Sequence, residues 1–185
     1  MPFINTIPPE AAEGALRDVY NHLQNARGKI SDIMSVQSLN PRAMAAHLEL
    51  YLALMFGHGG LKRAQREMIA VLVSSLNKCE YCIQHHRAAL LAYWKDEGKI
   101  QAFLENYRNA PMPEQEMEML SYCEKLTTRP SDITEEDITR LKKFGFSDEQ
   151  ILEMNMITAY FNFVNRIALG LGVEFNSNEV GGYKY

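Results

Sequence analysis

Two cysteines and two histidines lie within ten positions of each other in NKCEYCIQHH, residues 77–86, of a chain with three Cys and five His in all. If a helix begins at Cys79, then Cys79, Cys82 and His86 stand at i, i+3 and i+7 and share one face. Tyr81 and His85 turn elsewhere. Thiols one helical turn apart can join in a disulfide with modest adjustment. The thiolate is the reactive form of cysteine, and a helix N-terminus or a neighbouring imidazolium favours it, while burial opposes it. The first reading is therefore a redox dithiol with His86 one turn above Cys82.

Glu67 enters once the helices fold back on each other. On one continuous helix it would stand about 18 Å from Cys79, out of reach. A turn at Asn77-Lys78 leaves about 15 Å of helix back to Glu67 and about 12 Å forward to His86, so the two groups come to similar heights on facing helices. A carboxylate in an apolar face needs a partner, and His86 can supply one. The expected order is Glu67, His86, Cys82, Cys79: orienter, proton carrier, nucleophile, second thiol. Three other readings use the same residues, one of them a catalytically weak helical oligomer whose dithiol senses redox state. A zinc site would take Cys79, Cys82, His86 and either Glu67 or His85, although structural zinc usually draws its ligands from loops in two separated pairs. Alternatively, both cysteines are small, unreactive core residues. His85 is expected at the surface and Cys123 in the core or an interface. His22, His47 and His58 have no visible partners.

The elements that must hold this cluster are helical throughout, because apolar residues recur at helical spacing and no alternating β-branched run appears. Pro8 and Pro9 open a helix over about Glu10 to Ala26, with Ala15, Val19 and Leu23 as its apolar stripe, and Gly28 ends it. Asn40-Pro41 caps a second helix reaching Phe56, striped by Met44, Leu48, Leu52 and Met55. GHGG at 57–60 breaks it. A third helix, Leu61 to Asn77, becomes apolar nearly all round after Glu67 and must run through the interior. A fourth runs from Cys79 to Trp94, closed by DEG at 96–98. Three more span Pro113 to Leu126, Thr134 to Phe144 and Ser147 to Leu171. Asn162, Asn165 and Arg166 in the last of these require hydrogen-bond partners. The tail EFNSNEVGGYKY is expected to be loose or fixed by another subunit.

At 185 residues, with 46% hydrophobic and 23% charged residues, the chain suits one all-α domain over 1–185. A net charge of −4 without a dense basic run argues against nucleic acid or an anionic membrane as partner. Small molecules and proteins are the expected partners. The most apolar stretch, 151–173, carries Glu153, three Asn and Arg166 and reads as a buried helix, not a membrane span. The N-terminus lacks a basic segment followed by an apolar one, so a cytoplasmic protein is expected, where a close Cys pair is redox-active, catalytic or metal-binding.

The stretch REMIAVLVSSLNKCEYCIQHH, 66–86, resembles the signature of the AhpD-like alkylhydroperoxidases of the carboxymuconolactone decarboxylase superfamily, E-x11-C-x2-C-x3-H. The segment AYFNFVNRIALGLGVE, 159–174, is similar to the C-terminal part of its peroxidase-related subgroup. The resemblance implies an all-helical fold in homo-oligomers, commonly trimers or hexamers; the signature lies in 61–95, and the last helix (147–171) and tail (172–185) are expected to serve assembly. It further implies that Cys82 attacks the peroxide, Cys79 resolves it, and Glu67 and His86 relay the proton. The substrate would be hydrogen peroxide or a small alkyl hydroperoxide, and the reductant an external dithiol such as a lipoyl or thioredoxin-like protein. No cofactor or metal is implied. Well-studied members have a supporting His between the thiols where this chain has Tyr81, which bears on the peroxidase rate and not on the dithiol itself.

Overall fold

The computed structural model describes residues 2–179, and among these it is helical, with no strand. Nine α-helices follow in order: α1 (Gly14–Arg27), α2 (Asp32–Ser35), α3 (Pro41–Phe56), α4 (Arg63–Leu76), α5 (Glu80–Trp94), α6 (Glu97–Asn106), α7 (Glu114–Thr128), α8 (Glu135–Lys143) and α9 (Asp148–Gly170). Every residue from Gln65 to Ser74 is buried, so α4 is the axis of the domain, and α5, α7 and α9 surround it. Its apolar side chains, such as Met68, Ile69 and Val73, each contribute about 1.5–3 kcal/mol by leaving water. A smaller core, including Leu16, Tyr20, Leu23, Met34, Met44 and Leu48, holds α1, α2 and α3 as a layer against this bundle.

The caps follow the sequence. The Asn40 side chain accepts from the Ala43 N–H at the start of α3, Ser147 and Gln150 form a capping box on α9, and left-handed Gly28 (φ 77°) closes α1. The GHGG turn has a packing reason at Gly59, where a Cβ would fall 1.5 Å from Glu153 Oε1. Glu153 is held there by Arg66, at 3.2 Å, and by the Leu61 N–H.

Four expectations change. The first helix is interrupted: a short 3-10 turn at Pro9–Ala11 precedes α1. The inward face of α1 is centred on Leu16, Tyr20, Leu23 and Arg27, with Val19 partly buried at its edge and Ala15 exposed, because the larger side chains bury more area and the Tyr20 hydroxyl donates to the Ile7 carbonyl. DEG does not simply end α5. Lys95 ends it in the left-handed region (φ 53°), and Asp96 then caps α6, accepting from the Lys99 N–H; α6 buries only Ile100 and Phe103, too few for a clear period. The four-residue α2 is likewise too short to show one. Finally, the tail as far as Glu179 is fixed by its own chain: Glu179 is buried and accepts from the Asp32 N–H and the Tyr81 hydroxyl. The rest of the expected tail, 180–185, lies outside the described residues. No helix among the described residues is long and apolar enough to cross a membrane.

Candidate active site

The reversal between α4 and α5 brings the chemistry together. Lys78 takes a left-handed conformation (φ 56°), which costs a non-glycine residue about 1–2 kcal/mol. Hydrogen bonds offset this: the Cys79 N–H donates to the Ser74 carbonyl, and the Asn77 amide donates to both Asn162 Oδ1 and Asn165 Oδ1, each at 3.0 Å. Asn165, fully buried, donates in turn to Ser74 Oγ at 3.1 Å. The polar residues of α9 thus pin the turn beneath the cysteines. Arg166 closes the set by donating to Asn162.

Fold-back sets Glu67 against His86, with Oε2 2.6 Å from Nδ1. Glu67 has no exposed surface, so burial pushes its carboxyl up, yet its net shift is downward because His86 and Arg63 supply opposing charge and hydrogen bonds. Sequence reading missed Arg63. It lies one turn before Glu67, donates through Nε to Oε1 at 3.1 Å, stacks on Phe56 and is anchored on the Met55 carbonyl. Its i,i+4 spacing from Glu67 was the available signal.

Cys79 occupies the N-cap position of α5 and Cys82 lies in the first turn, with free sulfurs 2.9 Å apart. The two thiols are pushed in opposite directions. Cys79 lies below its ordinary value, chiefly through the hydrogen bond shared with Cys82; burial opposes this, while the Cys82 peptide N–H and Asn165 assist. Cys82 lies well above its ordinary value through that same bond and through burial. The two sulfurs share one hydrogen bond, and of the two thiols Cys79 is the easier to ionise.

Cys82, His86 and Glu67 line one cavity of about 90 Å³ between the two cores, whereas Cys79 does not face it. Leu23, Met34 and Leu48 form its wall on the N-terminal side; Phe161 and Val164 of α9 form the other. Two histidines depart from expectation. His85 is not a surface residue: its side chain is 12% exposed, it lines the cavity and bonds to the Tyr81 carbonyl one turn earlier, and Phe175 and Glu179 of the tail stand over it. His47, without visible partners in the sequence, is buried and bonded to Tyr160 and Gln37. Burial lowers both imidazoles to about 4. His22 meets Glu49 at the surface, and Cys123 is a core residue whose thiol burial pushes up to about 12. Tyr81 turns its hydroxyl to Glu179 and the Ile33 N–H, away from the thiols. Among the described residues no group of three or more His, Cys, Asp and Glu converges to hold a metal ion.

The profile of the carboxymuconolactone decarboxylase family matches residues 41–108, the span from α3 through α6. An uncharacterized peroxidase-related protein from Silicibacter sp. TM1040 superposes with a TM-score of 0.83 at 30% identity, over 99% of this chain and 93% of its own. A second, from Ralstonia eutropha JMP134 and described as an alkylhydroperoxidase AhpD core, gives 0.87 at 28% identity over 97% and 94%. The uncharacterized Bacillus subtilis (strain 168) protein YdfG is 26% identical over 113 residues, 60% of this chain and 76% of its own. The full-length likeness and the matched signature region make this chain an AhpD-like member of the carboxymuconolactone decarboxylase superfamily.

Proposed function

We propose that the protein is a thiol-dependent peroxidase that reduces hydrogen peroxide or small alkyl hydroperoxides through Cys82 and Cys79. The observation that carries this reading is the division of labour around the cavity. Cys82 faces it beside the Glu67-His86 pair, and Cys79 waits behind with its sulfur 2.9 Å away. Cys82 must lose its proton to attack, and His86, oriented by Glu67, is the carrier within that wall. The Cys82 thiolate then takes the distal peroxide oxygen, the O–O bond breaks, and the alkoxide leaves with the proton from His86 as an alcohol. Cys79, already the more acidic thiol, attacks the Cys82 sulfenic acid; a disulfide forms and water leaves. The balance is two thiols and one hydroperoxide giving one disulfide, one alcohol and one water.

An external dithiol, carried by a lipoyl or thioredoxin-like protein, returns the disulfide to the reduced pair. The enzyme works as a cytoplasmic homo-oligomer, a trimer or hexamer, for which the exposed apolar side chains of α9 are the support. The test is a thiol count before and after one equivalent of hydrogen peroxide, with mass spectrometry to locate the new bond. Two of the three thiols should disappear together, with Cys123 left reduced. Cys82→Ser should abolish turnover, and Cys79→Ser should accumulate a sulfenic acid or mixed disulfide. Full activity in Cys82→Ser would overturn the reading.

A further inference from the structure

The cavity has a second hydrogen-bonded line that the Glu67-His86 relay does not use. Tyr160, on α9, is 6% exposed and faces the cavity with Cys82 and His86. Its hydroxyl oxygen lies 2.7 Å from His47 Nε2, and the other ring nitrogen of His47 lies 2.9 Å from Gln37 Nε2 and 3.0 Å from Gln37 Oε1. Gln37 Nε2 also donates to the Ile33 carbonyl at 2.6 Å, which turns the amide nitrogen inward. An amide nitrogen carries two hydrogens, and the second is available to His47 Nδ1. A neutral imidazole that accepts at Nδ1 carries its hydrogen on Nε2 and donates it to the Tyr160 oxygen. In that tautomer the Tyr160 hydroxyl hydrogen is not used by His47 and is free to serve the cavity that Tyr160 lines.

We propose that Tyr160 is the hydrogen-bond donor to the departing oxygen of the hydroperoxide, with His47 and Gln37 as the residues that aim it. The inference rests on the peroxidase reading and assigns that site its leaving-group contact. Attack by Cys82 leaves negative charge on the alkoxide oxygen, and a fixed donor in a water-poor cavity stabilises charge that develops there. Tyr160 transfers no proton in this account. The alkoxide takes its proton from His86, and the tyrosine remains a phenol throughout. Its surroundings suit that role: burial and the nearby Tyr51 and Cys82 all disfavour the phenolate. The ring is braced edge-on by Phe161, at 5.2 Å, which packs in the same way against His86 at 4.6 Å. One aromatic residue thus spaces the proton carrier from the leaving-group donor.

The test separates help to the leaving group from help to the thiol. Single-turnover oxidation is followed with tert-butyl hydroperoxide, whose alkoxide is a strong base, and with a peracid, whose carboxylate leaves unaided; iodoacetamide alkylation of Cys82 is followed by fragment-resolved mass spectrometry. Tyr160→Phe should slow the alkyl hydroperoxide on the order of 100-fold, slow the peracid only a few-fold, and leave alkylation unchanged. Gln37→Met, which removes the donor to His47 without touching the cavity, should give a smaller loss with the same dependence on leaving group, and keeps the inference testable if Tyr160→Phe does not fold. Equal slowing of both oxidants, slower alkylation, or no effect would overturn the role of Tyr160 while leaving the peroxidase reading intact. If no peroxide oxidises the wild-type dithiol although Cys82 alkylates normally, both fall.

Discussion

Glu67 is a fully buried carboxylate in the helix at the axis of the domain, tolerated because Arg63 and His86 take its two oxygens. Removing one partner of such a group leaves the other charge stranded, and Arg63 has little water to turn to, being 15% exposed. Glu67→Gln should therefore destabilise the protein by about 3–5 kcal/mol in urea unfolding, and should also slow peroxide oxidation, because His86 loses its orienter. A variant that is stable but slow, or active but unstable, would separate the structural from the chemical role. The buried imidazoles give a pH signature. His47 ionises at about 4 in the folded state against about 6.5 when unfolded, so the unfolded chain binds the extra proton between those values. The stability it contributes is complete above pH 6.5 and is lost as pH falls toward 4, by up to about 3 kcal/mol. His47→Gln should flatten that part of the stability-pH curve, measured by denaturant unfolding at pH 7.5 and 4.5. An unchanged slope would mean that His47 is not held neutral.

The helices show where sequence is legible and where it stops. The period of 3.6 residues puts Cys82 and His86 on one face of α5 with Cys79 at its N-cap, and the length of α4 before the turn brings Glu67 level with His86, so the meeting of these four residues could be read from spacing. Contacts between distant helices could not. Asn165 announces itself as a polar residue that must be paired, but its partners Ser74 and Asn77 stand some 90 residues earlier. His47 and Tyr160 are 113 positions apart and carry no shared pattern. Helices α2 and α6 were missed because one is a single turn and the other buries too few side chains to mark a face. The asparagine pin is testable as a link between elements. Asn165→Ala strips Ser74 Oγ of its donor and Asn77 of one acceptor in a dry interior, which should cost about 2 kcal/mol. Because the Asn165 side chain lowers both thiols, the variant should also shift the pH midpoint of cysteine alkylation upward. Loss of stability with an unmoved midpoint would confine Asn165 to holding the turn.

At the scale of the molecule, α9 works on both faces. Its inner side supplies Phe161, Val164 and Asn165 to the core and the site, while Leu152, Met156 and Phe163 lie outward at i, i+4 and i+11, exposed by 59%, 39% and 48%. Large apolar residues aligned on one stripe of a surface helix invite a partner surface. The stripe also touches the interior, since the Phe163 ring stands edge-on to His47 at 5.4 Å, and His47 holds Tyr160. Assembly and site would then share a residue. If this stripe is the subunit contact, Leu152→Arg should reduce the mass seen in sedimentation equilibrium without loss of helical signal, because the changed side chain already faces water. Phe163→Ala should weaken association and in addition slow alkyl hydroperoxide turnover several-fold, because it loosens the packing of His47; dilution of the wild type should reproduce the slowing if association itself braces that ring. A monomeric wild type at micromolar concentration would remove the subunit role from α9. The Phe163 effect on turnover, arising inside one chain, would persist.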